Sequence, residues 1–274
     1  ETVGYDINKK RISHLSKRND FNNDIKPIEF QRSKKLIFTN DLNKIISCNF
    51  YIICVPTPID KSKKPDLRLL KSAFMCLAKI LKKGDIIVLE STVFPGTSEN
   101  ICAPILEKIT GLKSNRDFFL CYSPERINPG DKNHTIQKII KIISIPNKKC
   151  RKKVTKVYKH LSKKLIFSGS LQETELSKVI ENIQRDLNIA LMNEIFLICE
   201  KLKINFNEVK KLALTKWNFH NYSPGLVGGH CLPVDPHYLA YIAKKKNYPS
   251  EVILSGRKVN NNMKKYIIRK ITEL

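Results

Sequence analysis

The stretch Asp85-Ile86-Ile87-Val88-Leu89-Glu90-Ser91-Thr92-Val93-Phe94-Pro95-Gly96-Thr97 decides the fold class of this chain. Its apolar run is short and unbroken, which is typical of a strand buried on both faces of a sheet. A Pro-Gly turn follows, and a helical pattern then runs over Ser98–Ile109. A buried strand that leads through a turn into a helix is the building unit of a parallel sheet covered by helices.

The same alternation recurs on both sides of this stretch, up to about residue 150. The predicted strands are Thr2–Ile7, Lys35–Thr39, Phe50–Val55, Asp85–Glu90 and Phe118–Tyr122, and the predicted helices are Lys9–Lys17, Leu67–Leu81 and Ser98–Ile109. The first half of the chain is therefore predicted to be α/β, with ligands binding beyond the carboxyl ends of the strands.

The pattern becomes helical from about residue 170. Ser170-Leu171-Gln172-Glu173 is a capping-box signature, and apolar residues then recur at helical spacing to about Leu202. Such a helix of about 30 residues would span about 45 Å, enough to connect two domains or to form a dimer seam. Shorter helices are predicted over Asn207–Leu214, Pro236–Lys245 and Val252–Ile271.

Composition places the chain among globular proteins that act in a reducing compartment. Of its 274 residues, 42% are hydrophobic and 27% are charged, as in ordinary soluble proteins. No apolar run approaches the roughly 18 residues of a membrane span, and Glu1 leads into a strand-like segment rather than a signal peptide. The eight cysteines form no CxxC pair. We therefore expect a cytoplasmic protein without disulfides or membrane contact.

The net charge of +25 is open to two interpretations. One is a polyanionic partner, either nucleic acid or a membrane surface. The other is compositional drift, because Lys, Asn and Ile are abundant throughout, as in proteins from A+T-rich coding sequences. The lysines lie in nearly every segment, with few aromatic residues beside their clusters. This favours drift, and we do not expect a nucleic-acid partner.

Gly228-Gly229-His230-Cys231-Leu232-Pro233-Val234-Asp235 is the segment that points most directly to chemistry. Two glycines permit a turn, a thiol follows, and a carboxylate stands four residues beyond the thiol. Cys231 is either a reactive thiol or a buried one, since free cysteine is often buried. A metal site with His230, Cys231, Asp235 and His237 is the alternative, but the spacing matches no closed zinc site. No metal is therefore predicted.

Two further segments carry charged or amide side chains. Glu125 lies between turn residues after a strand and is either a general base or the partner of Arg126 in a surface ion pair. Lys178 and Asn182 are four residues apart and share one helix face. They are either a pair of donors to a developing oxyanion or an ordinary solvated pair.

Polar residues also stand where the predicted strands end. Asp6 ends the first strand, Val55-Pro56-Thr57-Pro58 the third and Ser91-Thr92 the fourth. A carboxylate at such a position can accept the ribose hydroxyls of NAD, while hydroxyls and free amides suit polar or anionic ligands. The segment Ser91–Thr97 also admits a simpler explanation, an N-cap at Thr97 after a Pro-Gly turn. A G-x-G-x-x-G loop would precede Asp6 and is not found.

Taken in order, these segments resemble the UDP-glucose/GDP-mannose dehydrogenase family over essentially the whole chain. The matching segments are Val3–Asp6, Val55–Pro58, Ser91–Thr97, Tyr122–Gly130, Lys178 with Asn182, and Pro224–Cys231. Asn182–Glu194 and Thr215–Phe219 look most like the branch that acts on UDP-N-acetylhexosamines for surface polysaccharides. UDP-glucose is the alternative substrate.

The resemblance implies a fold and an activity. The fold is an incomplete Rossmann-like parallel sheet domain, residues 1–168, followed by a mainly helical dimerisation domain, residues 169–274, that carries Cys231. The activity is a double oxidation in which two NAD⁺ convert the C6 alcohol of the nucleotide sugar into a carboxylate. Cys231 captures the intermediate aldehyde as a thiohemiacetal, which becomes a thioester and is then hydrolysed.

The resemblance also implies roles for individual residues. Glu125 activates the hydrolytic water, Lys178 and Asn182 stabilise the oxyanion, Asp235 positions water and protons, and Thr92 lies near the nicotinamide. The implied cofactor contacts are Asp6, Arg11, Val55, Pro56, Thr57, Ser91 and Thr92. The implied substrate contacts are Glu125, Arg126, Lys178, Asn182, Gly225, Gly228, Gly229 and, as a phosphate contact, Arg257.

Some parts of the family pattern are not found in these residues. The glycine loop and a C-terminal α/β domain that grips UDP are missing, and Val234 stands where some members carry lysine. We therefore expect the 274 residues by themselves to be inactive or nearly so, and we expect a homodimer through the long helix. The competing hypotheses are a catalytically dead truncated homologue and a basic scaffold that binds nucleic acid.

Overall fold

The chain alternates strands and helices up to residue 168 and is helical beyond it. The computed structural model describes residues 2–20, 22, 27–33, 35–127, 131 and 133–273. The strands are β1 (Thr2–Tyr5), β2 (Leu36–Thr39), β3 (Phe50–Ile53), β4 (Ile86–Leu89), β5 (Phe119–Tyr122), β6 (Ile140–Ser144) and β7 (Lys164–Ser168). The helices are α1 (Lys9–Ser16), α2 (Pro27–Arg32), α3 (Arg68–Ala78), α4 (Ala103–Thr110), α5 (Arg151–Tyr158), α6 (Leu171–Leu202), α7 (Phe206–Ala213), α8 (Asp235–Lys245) and α9 (Glu251–Thr272). The predicted α/β class and long helix are confirmed, while the boundary at residue 168 stays a prediction.

Within the described part of the chain, the strands form two sheets. β1 and β2 make a parallel pair, and the second sheet has the order β3-β4-β5-β6-β7. Its strand pairs are parallel except for β5 and β6, which run antiparallel where Tyr122 pairs with Ser144. The predicted parallel arrangement is therefore correct for β3, β4 and β5, and the strand direction reverses between β5 and β6.

Strand β4 lies at the centre of the hydrophobic core. All four of its residues are buried, as expected for a strand with packed layers on both faces. Ile87 and Leu89 face a cluster that includes residues of α3 and α4, and Ile86 and Val88 face a cluster that includes residues of α5. The alternating side chains thus hold helices on opposite faces of the sheet.

Four elements of the α/β part are absent from the sequence-based prediction: α2, β6, α5 and β7. β6 carries Lys141 in its second position, and α5 begins within the basic run Lys148–Lys153. Dense lysines hid the apolar periodicity of both elements. The helix predicted over Ser98–Ile109 consists of a π-helical turn, Ser98–Cys102, followed by α4.

Helix α6 is the longest element and has 32 residues, or about 48 Å. Ser170 caps it by accepting a hydrogen bond from the Glu173 backbone amide at 3.2 Å. It packs along α8 and α9. No helix in the described residues is long and apolar enough to cross a membrane.

A stripe of polar side chains runs along one face of α6. Its members, called here the α6 polar stripe, are Glu175, Lys178, Asn182, Asp186 and Asn193. Their spacing of three, four, four and seven residues keeps them on the same face. All except Asn182 are buried, although a helix face towards a core is usually apolar. Together they contact several parts of the site described next.

Candidate active site

The start of α8 meets the middle of α6 through two side chains. Asn182 Nδ2 donates a hydrogen bond to Asp235 Oδ2 at 2.5 Å. Asp235 is only 3% exposed, and burial raises its pKa to about 6, although the Asn182 hydrogen bond and the Lys178 charge both oppose the shift. This carboxyl group therefore changes its charge close to neutral pH and can exchange protons there.

Cys231 lies in the turn that leads into α8. Its carbonyl oxygen accepts hydrogen bonds from the amides of Val234 and Asp235, at 3.0 and 2.9 Å. The residue is exposed, so it is not a core cysteine. Partial burial and then the Asp235 charge raise the pKa of its thiol, while Lys178 lowers it. The thiol is thus accessible but needs a proton acceptor before it can act as a nucleophile.

Only one of the two glycines before Cys231 is required by backbone geometry. Gly229 has a φ of +85°, in the left-handed region that favours glycine. Gly228 has no positive φ, and a Cβ atom there would meet open space. The turn therefore depends on Gly229, whereas a side chain at Gly228 would meet no close neighbour.

Lys178 completes this cluster from one turn earlier on α6. The side chain is 9% exposed, and its charge acts on both Cys231 and Asp235. A buried cation and an amide on one face are suited to holding negative charge on an oxygen atom. The structure thus brings together four predicted residues, Cys231, Lys178, Asn182 and Asp235.

Glu125 lies in the loop after β5, which is tied to α6. Arg126 forms an ion pair with Glu181, which precedes Asn182, at 2.8 Å. Glu125 pairs instead with Lys141 of β6 at 3.2 Å. The alternative of a surface ion pair between Glu125 and Arg126 is therefore wrong. The last residues of this motif, Asn128–Gly130, lie outside the described part of the chain.

The strand ends form the predicted cofactor side of the site. Ser91 Oγ donates to the carbonyl oxygen of Val55, and Thr57 Oγ1 to that of Thr92, both at 2.6 Å. These two hydroxyls therefore join the ends of β3 and β4 rather than extending freely towards a ligand. The Tyr238 hydroxyl of α8 donates to the carbonyl oxygen of Thr57, which ties this edge to the helix that begins with Asp235.

Asp6 directly follows β1 of the other sheet, and Arg11 lies in α1. Asp6 accepts a hydrogen bond from the Asn8 amide at 2.8 Å, and its carboxylate is 3.7 Å from Arg11. Both side chains remain accessible, so the carboxylate has free acceptor sites for ribose hydroxyls. Thr92 is half-buried at the end of β4, and the contacts of Asp6, Arg11 and Thr92 with NAD stay a prediction.

A buried amide holds the glycine-rich segment that precedes Cys231. The Gly225 amide donates to Asn193 Oδ1 at 2.7 Å, and Asn193 Nδ2 donates to the Gly225 carbonyl oxygen at 3.0 Å. Asn193 Nδ2 also donates to Asn260 of α9, which in turn donates to Asp186. The segment is therefore fixed to α6 through a side chain that is itself held by α9.

The structure places Arg257 in a buried ion pair with Asp186, and its contact with a phosphate group stays a prediction. This residue is 3% exposed, and its guanidinium donates to Asp186 Oδ1 at 2.5 Å and to Asn261 Oδ1 at 2.7 Å. Its Nε atom has no hydrogen-bond partner among the described residues. Because Asp186 belongs to α6, Arg257 holds α9 against α6. Sequence patterns assign such a cation to the surface, whereas here it is paired inside the protein.

In the described ranges, no group of three or more His, Cys, Asp and Glu side chains could hold a metal ion. His230 is exposed, whereas His237 is buried. Burial lowers the pKa of His237 to about 4, so it is neutral at physiological pH.

Three residues of the α6 polar stripe were missed by sequence reasoning: Glu175, Asp186 and Asn193. A signal for them exists, since they recur with Lys178 and Asn182 at helical spacing among apolar residues. Glu175 accepts the amides of Gly96 and Ser98, at 2.6 and 2.9 Å, and so fixes the loop after β4.

We expect Glu175 to make folding stability depend on pH. Burial raises the pKa of this residue from 4.5 to about 7. A raised folded-state pKa adds stability that is complete below about pH 4.5 and is lost as the pH rises to 7, by roughly 3 kcal/mol. Urea unfolding of wild type and Glu175→Gln at several pH values measures the difference between them. Wild type should lose unfolding free energy relative to Glu175→Gln as the pH rises. The difference between wild type and Glu173→Gln, an exposed control on the same helix, should not change with pH.

Comparison with known proteins gives the same family in both halves of the chain. Residues 1–162 match the NAD binding domain of the UDP-glucose/GDP-mannose dehydrogenase family, and residues 172–262 match its central domain. The UDP-N-acetyl-D-glucosamine 6-dehydrogenase of Pseudomonas aeruginosa is 45% identical, over 99% of this chain and 64% of that protein. Protein CapL of Staphylococcus aureus is 46% identical, over 97% and 63%.

The fold agrees with these matches. A UDP-D-ManNAc dehydrogenase structure from Pyrococcus horikoshii superposes with a TM-score of 0.88 at 31% identity, over 99% of this chain and 65% of that one. The chain thus spans slightly less than two thirds of the length of these relatives. The predicted resemblance and the prediction of NAD as cofactor are confirmed.

Proposed function

Because the chain belongs to the UDP-glucose/GDP-mannose dehydrogenase family, we propose that it oxidises the C6 alcohol of a UDP-N-acetylhexosamine to the carboxylate. The observation that carries this proposal is the cluster of Lys178, Asn182 and Asp235 beside the exposed thiol of Cys231. Bound NAD⁺ supplies the acceptor for the hydride that leaves C6, once in each of two oxidations.

The residues of the cluster divide the chemistry between them. Asp235 takes the thiol proton, which suits a carboxylate with a pKa of about 6. The sulfur of Cys231 bonds to the aldehyde carbon, and the resulting oxyanion lies against the Lys178 ammonium and the Asn182 amide. Loss of the second hydride gives a thioester, which water hydrolyses with Glu125 as the base.

The closest support for the substrate comes from similarity. The Pseudomonas aeruginosa relative at 45% identity is a UDP-N-acetyl-D-glucosamine 6-dehydrogenase. UDP-N-acetylglucosamine is therefore the first substrate to test, with its galactosamine epimer and UDP-glucose as alternatives. We place the reaction in the cytoplasm, in the supply of uronic acids for surface polysaccharides; the eight free cysteines accord with a reducing compartment.

A homodimer through α6 is part of the proposal. Ile180, Leu191 and Ile198 of this helix are each about half exposed. Their spacing of 11 and 7 residues places them on one side of the helix, where they form an apolar strip. Such a strip suits pairing with the same helix of a second copy.

The proposed activity is tested with the full-length protein, NAD⁺ and each of the three UDP-sugars. We expect two NADH per uronic acid released, with UDP-N-acetylglucosamine preferred. Binding of nucleotide sugar without NADH would support a catalytically dead homologue. Affinity for DNA that falls steeply with salt, without nucleotide-sugar binding, would support a nucleic-acid scaffold. That residues 1–274 alone turn over little substrate stays a prediction, and steady NADH production by them would refute it.

A further inference from the structure

Lys141 is a completely buried lysine for which the proposed reaction so far has no use. It lies in β6, beside β5, and its side chain is 0% exposed. Burying an ammonium group costs several kcal/mol unless opposite charges and hydrogen bonds compensate. The compensation here comes from two carboxylates, because Lys141 Nζ lies 3.3 Å from Glu90 Oε1 and 3.2 Å from Glu125 Oε2.

Glu90 is the fixed side of this bridge. The Tyr158 hydroxyl donates to Glu90 Oε1 at 2.5 Å, and the tyrosine is itself completely buried in the core. The Lys141 ammonium also lies 6.0 Å from the centre of the Tyr158 ring. One neighbour of the ammonium, Tyr158, is a core residue and also holds the other, Glu90, so the position of the ammonium is well defined.

Glu125 is the open side of the bridge. Its Oε1 accepts the backbone amides of Arg126 and Ile127, at 2.6 and 2.8 Å, and its Oε2 accepts the Lys141 ammonium. The side chain is nevertheless 43% exposed. Three donors therefore fix the plane of the carboxylate, while lone pairs remain free to accept a proton from water.

We propose that Lys141 is a positioning residue that aims the Glu125 carboxylate at the hydrolytic water; this inference rests on the proposed function. In that step the water oxygen bonds to the thioester carbonyl carbon, and one water proton passes to Glu125. The carbon–sulfur bond then breaks, the sulfur of Cys231 leaves with the bonding electrons, and the acid product loses its second proton to solvent. No oxidant or reductant is consumed. Lys141 acts on this step alone, through Glu125.

The test uses the full-length protein with Lys141→Met, which keeps the length of the side chain and removes its charge. We expect the first-turnover burst of two NADH per site to stay within about twofold of wild type. Steady-state turnover should fall about 100-fold, the usual contribution of a positioned general base. Intact-mass measurement after quenching should show Cys231 carrying the uronyl thioester.

Two further variants separate positioning from stability. Glu90→Gln combined with Lys141→Met also removes the carboxylate that loses its cation in the single variant. The thermal unfolding of the double variant should therefore return towards wild type while the slow hydrolysis remains. Lys138→Met makes the same charge change at an exposed position three residues earlier and should behave as wild type.

The outcomes distinguish the inference from its premise. Equal slowing of burst and steady state, wild-type turnover in Lys141→Met, or recovery of hydrolysis in the double variant would overturn the positioning role. A wild-type protein that forms neither NADH nor a Cys231 adduct would overturn the proposed function, and the inference with it.

Discussion

Replacing Cys231 with alanine in the full-length protein is expected to reduce uronic acid formation at least about 1,000-fold, because covalent capture then has no nucleophile. The sulfur is accessible, and no other thiol lies in the cluster of Lys178, Asn182 and Asp235 described above. The first oxidation does not require the thiol. We therefore expect at most about one NADH per sugar consumed, with free aldehyde detectable by a carbonyl reagent.

The control for this variant is Cys48→Ala, which removes a half-buried thiol outside the cluster. It should retain wild-type activity. Substrate should also protect Cys231 from a thiol reagent. Since the pKa of this thiol is raised, its modification in the free protein should accelerate as the pH rises above neutral. Continued release of two NADH per uronic acid by Cys231→Ala would exclude the covalent route.

Replacing Arg257 with methionine is expected to lower the free energy of unfolding by about 3 kcal/mol, because Asp186 then remains buried without its cation. The pair lies at the contact between α6 and α9, and both side chains are almost fully buried. Asn260 still donates to Asp186 in the variant, which places the cost at the lower end of the usual range.

The pH dependence of this loss identifies its cause. Burial raises the pKa of Asp186 and Arg257 opposes the shift, so removing Arg257 raises that pKa further. Protonated Asp186 has no charge to compensate, and the deficit in unfolding free energy should therefore shrink as the pH is lowered. Urea unfolding measures it, with the exposed Lys258→Met as control. Equal stability of Arg257→Met and the control would contradict the assignment.

The sequence predicts those parts of the fold in which one local pattern dominates. β4 is recognisable because its four residues are apolar, and α6 because apolar residues recur at helical spacing over most of its length. β6 was missed because its buried Lys141 looks solvated in a sequence, and α5 because exposed basic residues outnumber its two buried apolar ones. A strand that contains a buried Lys141 is recognised only when its two carboxylate partners are known.

In the candidate site, too, local patterns are predictable from the sequence, whereas contacts between distant segments are not. Helical spacing alone places Lys178 and Asn182 on one face, but it does not show that Asp235 meets them, because this contact depends on how α8 packs against α6. The buried pairing of Arg257 was missed for a related reason. Its partner Asp186 lies 71 residues earlier, and no local pattern links the two.

Helix α6 sets the spacing between the parts of the site. A single rigid rod carries the group that fixes the loop after β4, the groups beside the thiol, and the amide that holds the glycine-rich segment. Inserting one residue between Lys178 and Asp186 would rotate everything beyond it by about 100°. The side chains before and after the insertion could then no longer reach their present partners at the same time. We therefore expect the length of this helix to be fixed by the site.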